Sequence, residues 1–277
     1  MTDRRLLRAA RGVAHDSLRG HLDSVRFVPG DWRRVTASLA ELCAAPAGAR
    51  DRQLPSGRRF CALTEAEGWI FGFCEGDGYC GWVARGDLGG DTPVTHWVAS
   101  PGTHLYPAPD IKTREVMALP FGAQVEVIGQ DNGFALTPLG HVPAGHLRAL
   151  GASLTDPVAV ARGFLGTPYL WGGNSRDGID CSGMVQAAFQ ACGLPCPADS
   201  DQQAEMPGHE VPEAELRAGD LVFWTGHVAM VAAQGRLIHA NAHHMAVAEE
   251  DYAGAVARIA AKGNAVFSRL RVTGLRA

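Results

Sequence analysis

Between about residue 36 and residue 150 the chain carries short apolar runs cut by glycine and proline, whereas beyond residue 180 a helical period appears and then gives way to strands again. Residues 59–63, 68–74 and 79–84 read as strands, separated by the turn-forming stretches 55–57 and 75–78. A second block over 94–150 repeats this arrangement loosely, with strand-like runs at 103–107, 123–128, 133–137 and 140–143. The parallel predicts two tandem small β-barrels. Further on, Met184, Val185, Ala188, Phe189 and Cys192 recur at steps of three and four, one face of a helix over 182–192, and Gly193 and Pro195 supply its stop. Residues 219–224 and 227–231 then read as a hairpin, 235–240 as a third strand, 252–262 as a helix and 265–272 as a closing strand.

Composition narrows the function classes. At 277 residues the chain is longer than the usual single domain, and 46% hydrophobic residues suffice for packed cores. A net charge of −4 without a long Lys/Arg run gives no electrostatic footprint for nucleic acid or an anionic membrane. No apolar run approaches the roughly 18 residues that cross a bilayer. At the amino end His15, Asp16, Arg19, His21 and Asp23 interrupt any export-type apolar core. Seven cysteines, Cys43, Cys61, Cys74, Cys80, Cys181, Cys192 and Cys196, form an odd set without framework spacing, which suits a reducing compartment. The expectation is a cytoplasmic protein.

The chemistry centres on Cys181. It stands at the start of the expected helix, where unpaired N–H groups and the helix dipole lower a thiol's pKa and favour the nucleophilic thiolate. Taken alone it also fits a buried small hydrophobe. His227 and His239, each on one of two expected neighbouring strands, equally fit structural histidines. Together the three residues outline a nucleophile, a base and an orienting group, because side chains facing each other on adjacent strands come within about 4.5–5.5 Å. Upstream, the glycine-rich stretch 166–173 curls the backbone near the cysteine, and a tyrosine there, Tyr169, is placed to reach a developing oxyanion.

Residues 155–250 resemble the NlpC/P60 family of papain-like cysteine peptidases. The resemblance is carried, in the family's order, by Thr167, Tyr169, Trp171, Gly172 and Gly173; by Gly178, Asp180, Cys181, Ser182 and Gly183; by Gly219, Asp220 and Trp224; by Gly226 and His227; and by His239. It implies Cys181 as nucleophile, His227 as general base, His239 as the polar residue that orients it, and Tyr169 with the Cys181 N–H as the oxyanion site. It further implies Asp180, Ser182 and Ser200 as the residues holding the amino end and D-glutamyl group of short murein peptides. Upstream, Arg50, Asp51, Gln53, Gly68, Trp69, Tyr79, Trp82 and Val83 are similar to the bacterial SH3-like domains that precede this catalytic domain in murein dipeptidyl-peptidases, where Tyr79 matches a tyrosine lent to the peptidase site. It also fits a tyrosine that packs beside Trp82. The expected organisation is an N-terminal segment over 1–35, SH3-like barrels over 36–92 and 93–152, and an α+β papain-like catalytic domain over 153–277. The implied activity is hydrolysis of the γ-D-glutamyl–diamino acid bond in murein peptides with a free L-alanine, in peptide recycling.

Other readings stay open: an amidase or acyltransferase using the same Cys–His pair, or a wall-peptide-binding protein with a silent catalytic fold. No cofactor is expected. Gly76, Gly78 and Gly81 fit a dinucleotide fingerprint literally, but Trp82 and Val83 follow where a helix must begin. His239, His243 and His244, or Cys192 and Cys196, lack the paired spacing of a zinc site, so no metal is expected.

Overall fold

The structure, a computed structural model, describes residues 3–23 and 25–274. The first and last residues of the expected N-terminal and catalytic segments, 1–2 and 275–277, lie outside that description, as does residue 24. The chain divides into two compact units at Leu150 and Gly151.

The first unit is built from strands. Its main sheet has seven antiparallel strands in the spatial order Leu88–Gly90, Asp31–Val35, Arg59–Ala66, Trp69–Cys74, Cys80–Ala84, Leu39–Cys43, Arg50–Pro55. Alternate side chains from one face, Cys61, Leu63, Phe71, Phe73, Cys80 and Trp82, form a buried cluster, and Ala10, Val28 and Trp32 from the amino-terminal residues pack on it. The described part of the expected N-terminal segment thus packs on this sheet. Asp31–Val35 pairs with Arg59–Ala66 on one side and Leu88–Gly90 on the other, which moves the start of the first β-domain back to about Asp31. Short strands at Ala9–Ala10, Val13–His15 and Arg26–Val28 make a small sheet of their own.

Residues 96–149 of the same unit form short strands in three small sheets around Val98, Leu105, Leu119, Ala123 and Val142. They attach to the preceding block through backbone: the Gln124 N–H donates to the Ser56 carbonyl at 2.8 Å, and the Ser38 hydroxyl donates to the Ala118 carbonyl at 2.6 Å.

The second unit carries a six-stranded antiparallel sheet in the order Gly208–Glu210, Ser268–Val272, Leu221–Trp224, His227–Ala233, Arg236–Asn241, Ala246–Asp251. The middle strands are covered on both faces, so they read as nearly continuous apolar runs rather than alternating ones. On one face Val222, Trp224, Ala229, Val231 and Leu237 pack with Tyr252 and Ala255 of the helix Tyr252–Ala260. The helix Cys181–Ala191 buries Met184, Val185, Ala188 and Phe189, the stripe the periodicity selects. A helix the pattern did not announce, Pro157–Arg162, starts on an Asp156 cap with proline in its first turn. Among the described residues no helix is long and apolar enough to cross a membrane.

Candidate active site

Cys181 is the first residue of its helix because Asp180 caps it. One Asp180 oxygen accepts from the Gly183 N–H at 2.7 Å and the other from the Gly172 N–H at 2.8 Å, which ties the glycine-rich loop to the helix start. That loop must lie close. A Cβ on Gly173 would stand 2.5 Å from the Gly178 carbonyl oxygen, and one on Gly178 would stand 2.5 Å from the Cβ of Leu170. The short hairpin Asn174–Ser175 with Gly178–Ile179 and the bridge from Tyr169 to Ile179 then fix Tyr169 beside the helix start. The Tyr169 N–H donates to the Met245 carbonyl at 2.9 Å.

His227 opens the strand antiparallel to the one carrying His239, and the two rings lie 5.0 Å apart between centroids. His227 Nε2 is 2.8 Å from His239 Nδ1, and His239 Nε2 is 2.7 Å from Glu250 Oε1. Glu250 also accepts from Arg258. The sequence reading had not singled out Glu250 or Arg258. Glu250 sits in the acidic run Glu249, Glu250, Asp251, which looks like a solvated strand end, and its only signal is that Leu237, on the strand that carries His239, pairs with it.

Burial governs the electrostatics. Cys181 is 6% exposed and His239 is fully buried. Burial, reinforced by the Asp180 charge, pushes the Cys181 thiol up to about 12, against the N–H groups of Val228, Ser182 and Cys181 itself, which favour the thiolate. The donors expected at the helix start are present, and burial opposes them. Burial, with His239 and Arg258 adding, draws His227 down to about 3. Both shifts favour the uncharged form of the group concerned. The Tyr169 hydroxyl is pushed up to about 12 by burial and by the neighbouring Cys181 and Asp180 charges, so it stays a proton donor.

The other expected site residues are placed as follows. The Ser182 hydroxyl donates to Asp180 Oδ1 at 3.2 Å. Burial raises the Asp180 carboxyl, with the Gly183, Gly172 and Ser182 hydrogen bonds opposing and Asp199 adding to the rise. Ser200 begins the helix Ser200–Gln203, which Gln203 ties to the carbonyls of Ser182 and Pro197. Tyr79 belongs to the first unit. There it is 2% exposed, its N–H donates to Asp77 Oδ1 at 3.1 Å, and the Arg52 guanidinium stands 5.5 Å from its ring centre. In the region weighed as a metal cluster, both nitrogens of His239 have protein partners, while His243 and His244 stack edge to face at 4.8 Å.

A cysteine sulfur at a helix start, a hydrogen-bonded histidine pair on adjacent strands and a phenol held in its protonated form are the parts that acyl transfer through a thioester needs. Comparison with known proteins points the same way. Residues 166–260 match the NlpC/P60 family, and residues 42–88 match the bacterial dipeptidyl-peptidase SH3 domain. A gamma-D-glutamyl-L-lysine dipeptidyl-peptidase of Bacillus subtilis (strain 168) is 30% identical over 184 residues, 58% of this chain and 60% of its own length. Dipeptidyl-peptidase 6 of Lysinibacillus sphaericus is 37% identical over 84 residues, 30% of this chain and 31% of its own. A solved NlpC/P60 family protein from Bacillus cereus ATCC 10987 shares the fold with a TM-score of 0.69 at 21% identity, over 80% of this chain and 94% of that one. The chain thus spans less than two thirds of either curated relative.

Proposed function

Since the chain carries an NlpC/P60 domain behind a bacterial dipeptidyl-peptidase SH3 domain, we propose that it is a cysteine endopeptidase hydrolysing the γ-D-glutamyl–diamino acid bond of short murein peptides with a free amino-terminal L-alanine. The observation that carries this reading is the hydrogen-bonded pair His227 and His239 beside the strand residue Val228, whose N–H faces the Cys181 sulfur. The lysine-directed name of the B. subtilis relative supports the substrate class.

In this scheme His227 takes the Cys181 proton as the sulfur attacks the γ-carbonyl. The negative oxygen of the tetrahedral intermediate accepts from the Tyr169 hydroxyl and the Cys181 N–H, a donor left without a helical partner at the first position of its helix. His227 then gives the proton to the departing amine, the C–N bond breaks, and an acyl-enzyme thioester remains. Water, deprotonated by His227, cleaves the thioester and releases L-Ala-D-Glu. Burial favours the neutral thiol and the neutral imidazole, so in this scheme proton transfer accompanies attack. Asp180 receives the substrate ammonium, and an acylated amino end leaves that buried carboxylate without its cation. Ser182 and Ser200 bind the D-glutamyl group. The short-peptide preference fits a place in wall-peptide recycling in the cytoplasm, which cell fractionation tests. We further read residues 96–149 as a second SH3-like barrel after the first.

The deciding experiment incubates the protein with L-Ala-γ-D-Glu joined to L-Lys or to meso-diaminopimelate, with N-acetylated versions and with Cys181→Ala, and identifies products by mass. L-Ala-D-Glu released only from free-amine peptides and only with Cys181 present supports the reading. Equal cleavage of acetylated peptides removes the amino-end requirement. Inert peptides with a reactive Cys181 move an amidase or acyltransferase to the front.

A further inference from the structure

The hydrogen-bonded chain does not stop at the second histidine. Glu250, on the strand Ala246–Asp251, accepts from His239 Nε2 and from Arg258 of the helix Tyr252–Ala260, with side-chain exposures of 15% for Glu250 and 23% for Arg258. A carboxylate can only accept, so the proton of neutral His239 sits on Nε2 and its Nδ1 offers a lone pair. His227, 2.8 Å from that Nδ1, must then carry its own proton on Nε2. Its Nδ1 is left as the basic nitrogen.

The geometry points to Glu250 as a positioning residue that, through His239, selects the tautomer in which Nδ1 of His227 is the base, with Arg258 moderating the strength of its charge. This rests on the Cys–His peptidase reading above. The charged and titratable groups acting on the two rings are Glu250 from the neighbouring strand, Arg258 from the helix and His244 from the loop after Asn241, besides the action of His239 on His227. Glu250 favours protonation of His227, whereas Arg258 opposes it. The same logic governs catalytic triads, in which an amide replacing the orienting carboxylate keeps the geometry and inverts the tautomer.

The test compares full-length wild type, Glu250→Gln and Arg258→Gln. Steady-state kinetics on L-Ala-γ-D-Glu-L-Lys are followed across pH, and ¹⁵N shifts of the histidine rings are recorded on the same proteins. In folded Glu250→Gln, kcat should fall by about tenfold or more while KM stays within about twofold. The acid limb of kcat/KM should move to lower pH in Glu250→Gln and to higher pH in Arg258→Gln. Shifts in the same direction, or undiminished kcat in Glu250→Gln, overturn the assignment. If wild type cleaves nothing, the peptidase reading fails while the ring spectra still decide this one. Nε2–H on both histidines of the wild type supports the assignment, and Nδ1–H on His239 overturns it, whether or not Glu250→Gln folds.

Discussion

Gln203, fully buried, donates through Nε2 to the Ser182 carbonyl at 2.9 Å and to the Pro197 carbonyl at 3.0 Å. The short helix that carries Ser200 is thereby pinned to the turn that carries Cys181. Gln203→Leu takes the donor from two carbonyls, and a lost buried hydrogen bond of this kind costs about 1–3 kcal/mol. Urea unfolding of the variant should show that loss. A variant as stable as wild type would mean that neither carbonyl depends on Gln203.

Tyr169→Phe tests the oxyanion assignment. The phenol keeps its proton because burial pushes it up to about 12, and removing one such donor typically lowers kcat by about 10²–10³-fold. KM should change little, since the donor acts on charge that develops only during attack. A variant with wild-type kcat would take Tyr169 out of the chemistry.

Asp180 holds two tasks that one substitution would confuse. It caps the Cys181 helix and is proposed to meet the substrate ammonium. Asp180→Asn keeps an oxygen for the Gly183 N–H but turns an amide donor towards the Gly172 N–H, so it should lose some stability while keeping the helix cap, and its preference for free-amine over N-acetylated peptide collapses. Asp180→Ala loses the cap as well and should be less stable by about 1 kcal/mol. The two variants, compared by urea unfolding and by the ratio of kcat/KM on the two peptides, separate the roles.

Acid should destabilise the fold through His227. Burial, His239 and Arg258 hold it down to about 3 from an ordinary 6.5, so above pH 6.5 the folded and unfolded chains are both neutral there and no slope arises. Between 6.5 and 3 the unfolded chain takes a proton that the fold refuses, and stability falls as pH drops, by up to about 1.4 kcal/mol per pH unit. Glu250 adds to the loss only further down. Despite burial, the His239 and Arg258 hydrogen bonds keep it at about 2, so its contribution is complete above 4.5 and is lost as pH falls towards 2. Urea midpoints at pH 7, 6 and 5 should therefore converge for wild type and His227→Asn from the neutral side, with wild type losing more. Parallel decline would show that His227 is not the group responsible.

Much of the site was legible because its residues sit where local rules are strict. The helix over 182–192, the stripe from Met184 to Phe189 and the strand order around His227 and His239 follow from spacing, whereas the Asp180 cap emerges only in the structure. Glu250 was hidden because a carboxylate at a strand end looks the same whether it faces water or a histidine. The strand Asp31–Val35 was hidden for a related reason. Its arginines lie along the sheet with their heads on other groups, Arg34 donating to the Gly57 carbonyl at 2.7 Å and Arg33 pairing with Asp31, so no alternation marks it. The helix position of Cys181 is visible in sequence, whereas the burial that opposes its ionisation is not.

The strand Ser268–Val272 lies inside its sheet, between Gly208–Glu210 and Leu221–Trp224. The strand that begins with His227 pairs directly with Leu221–Trp224, so one side of that platform stays unpaired until residues 268–272 have been synthesised and inserted. As the chain leaves the ribosome, this edge of the platform is therefore completed only after Cys181, both histidines and Glu250 have already emerged.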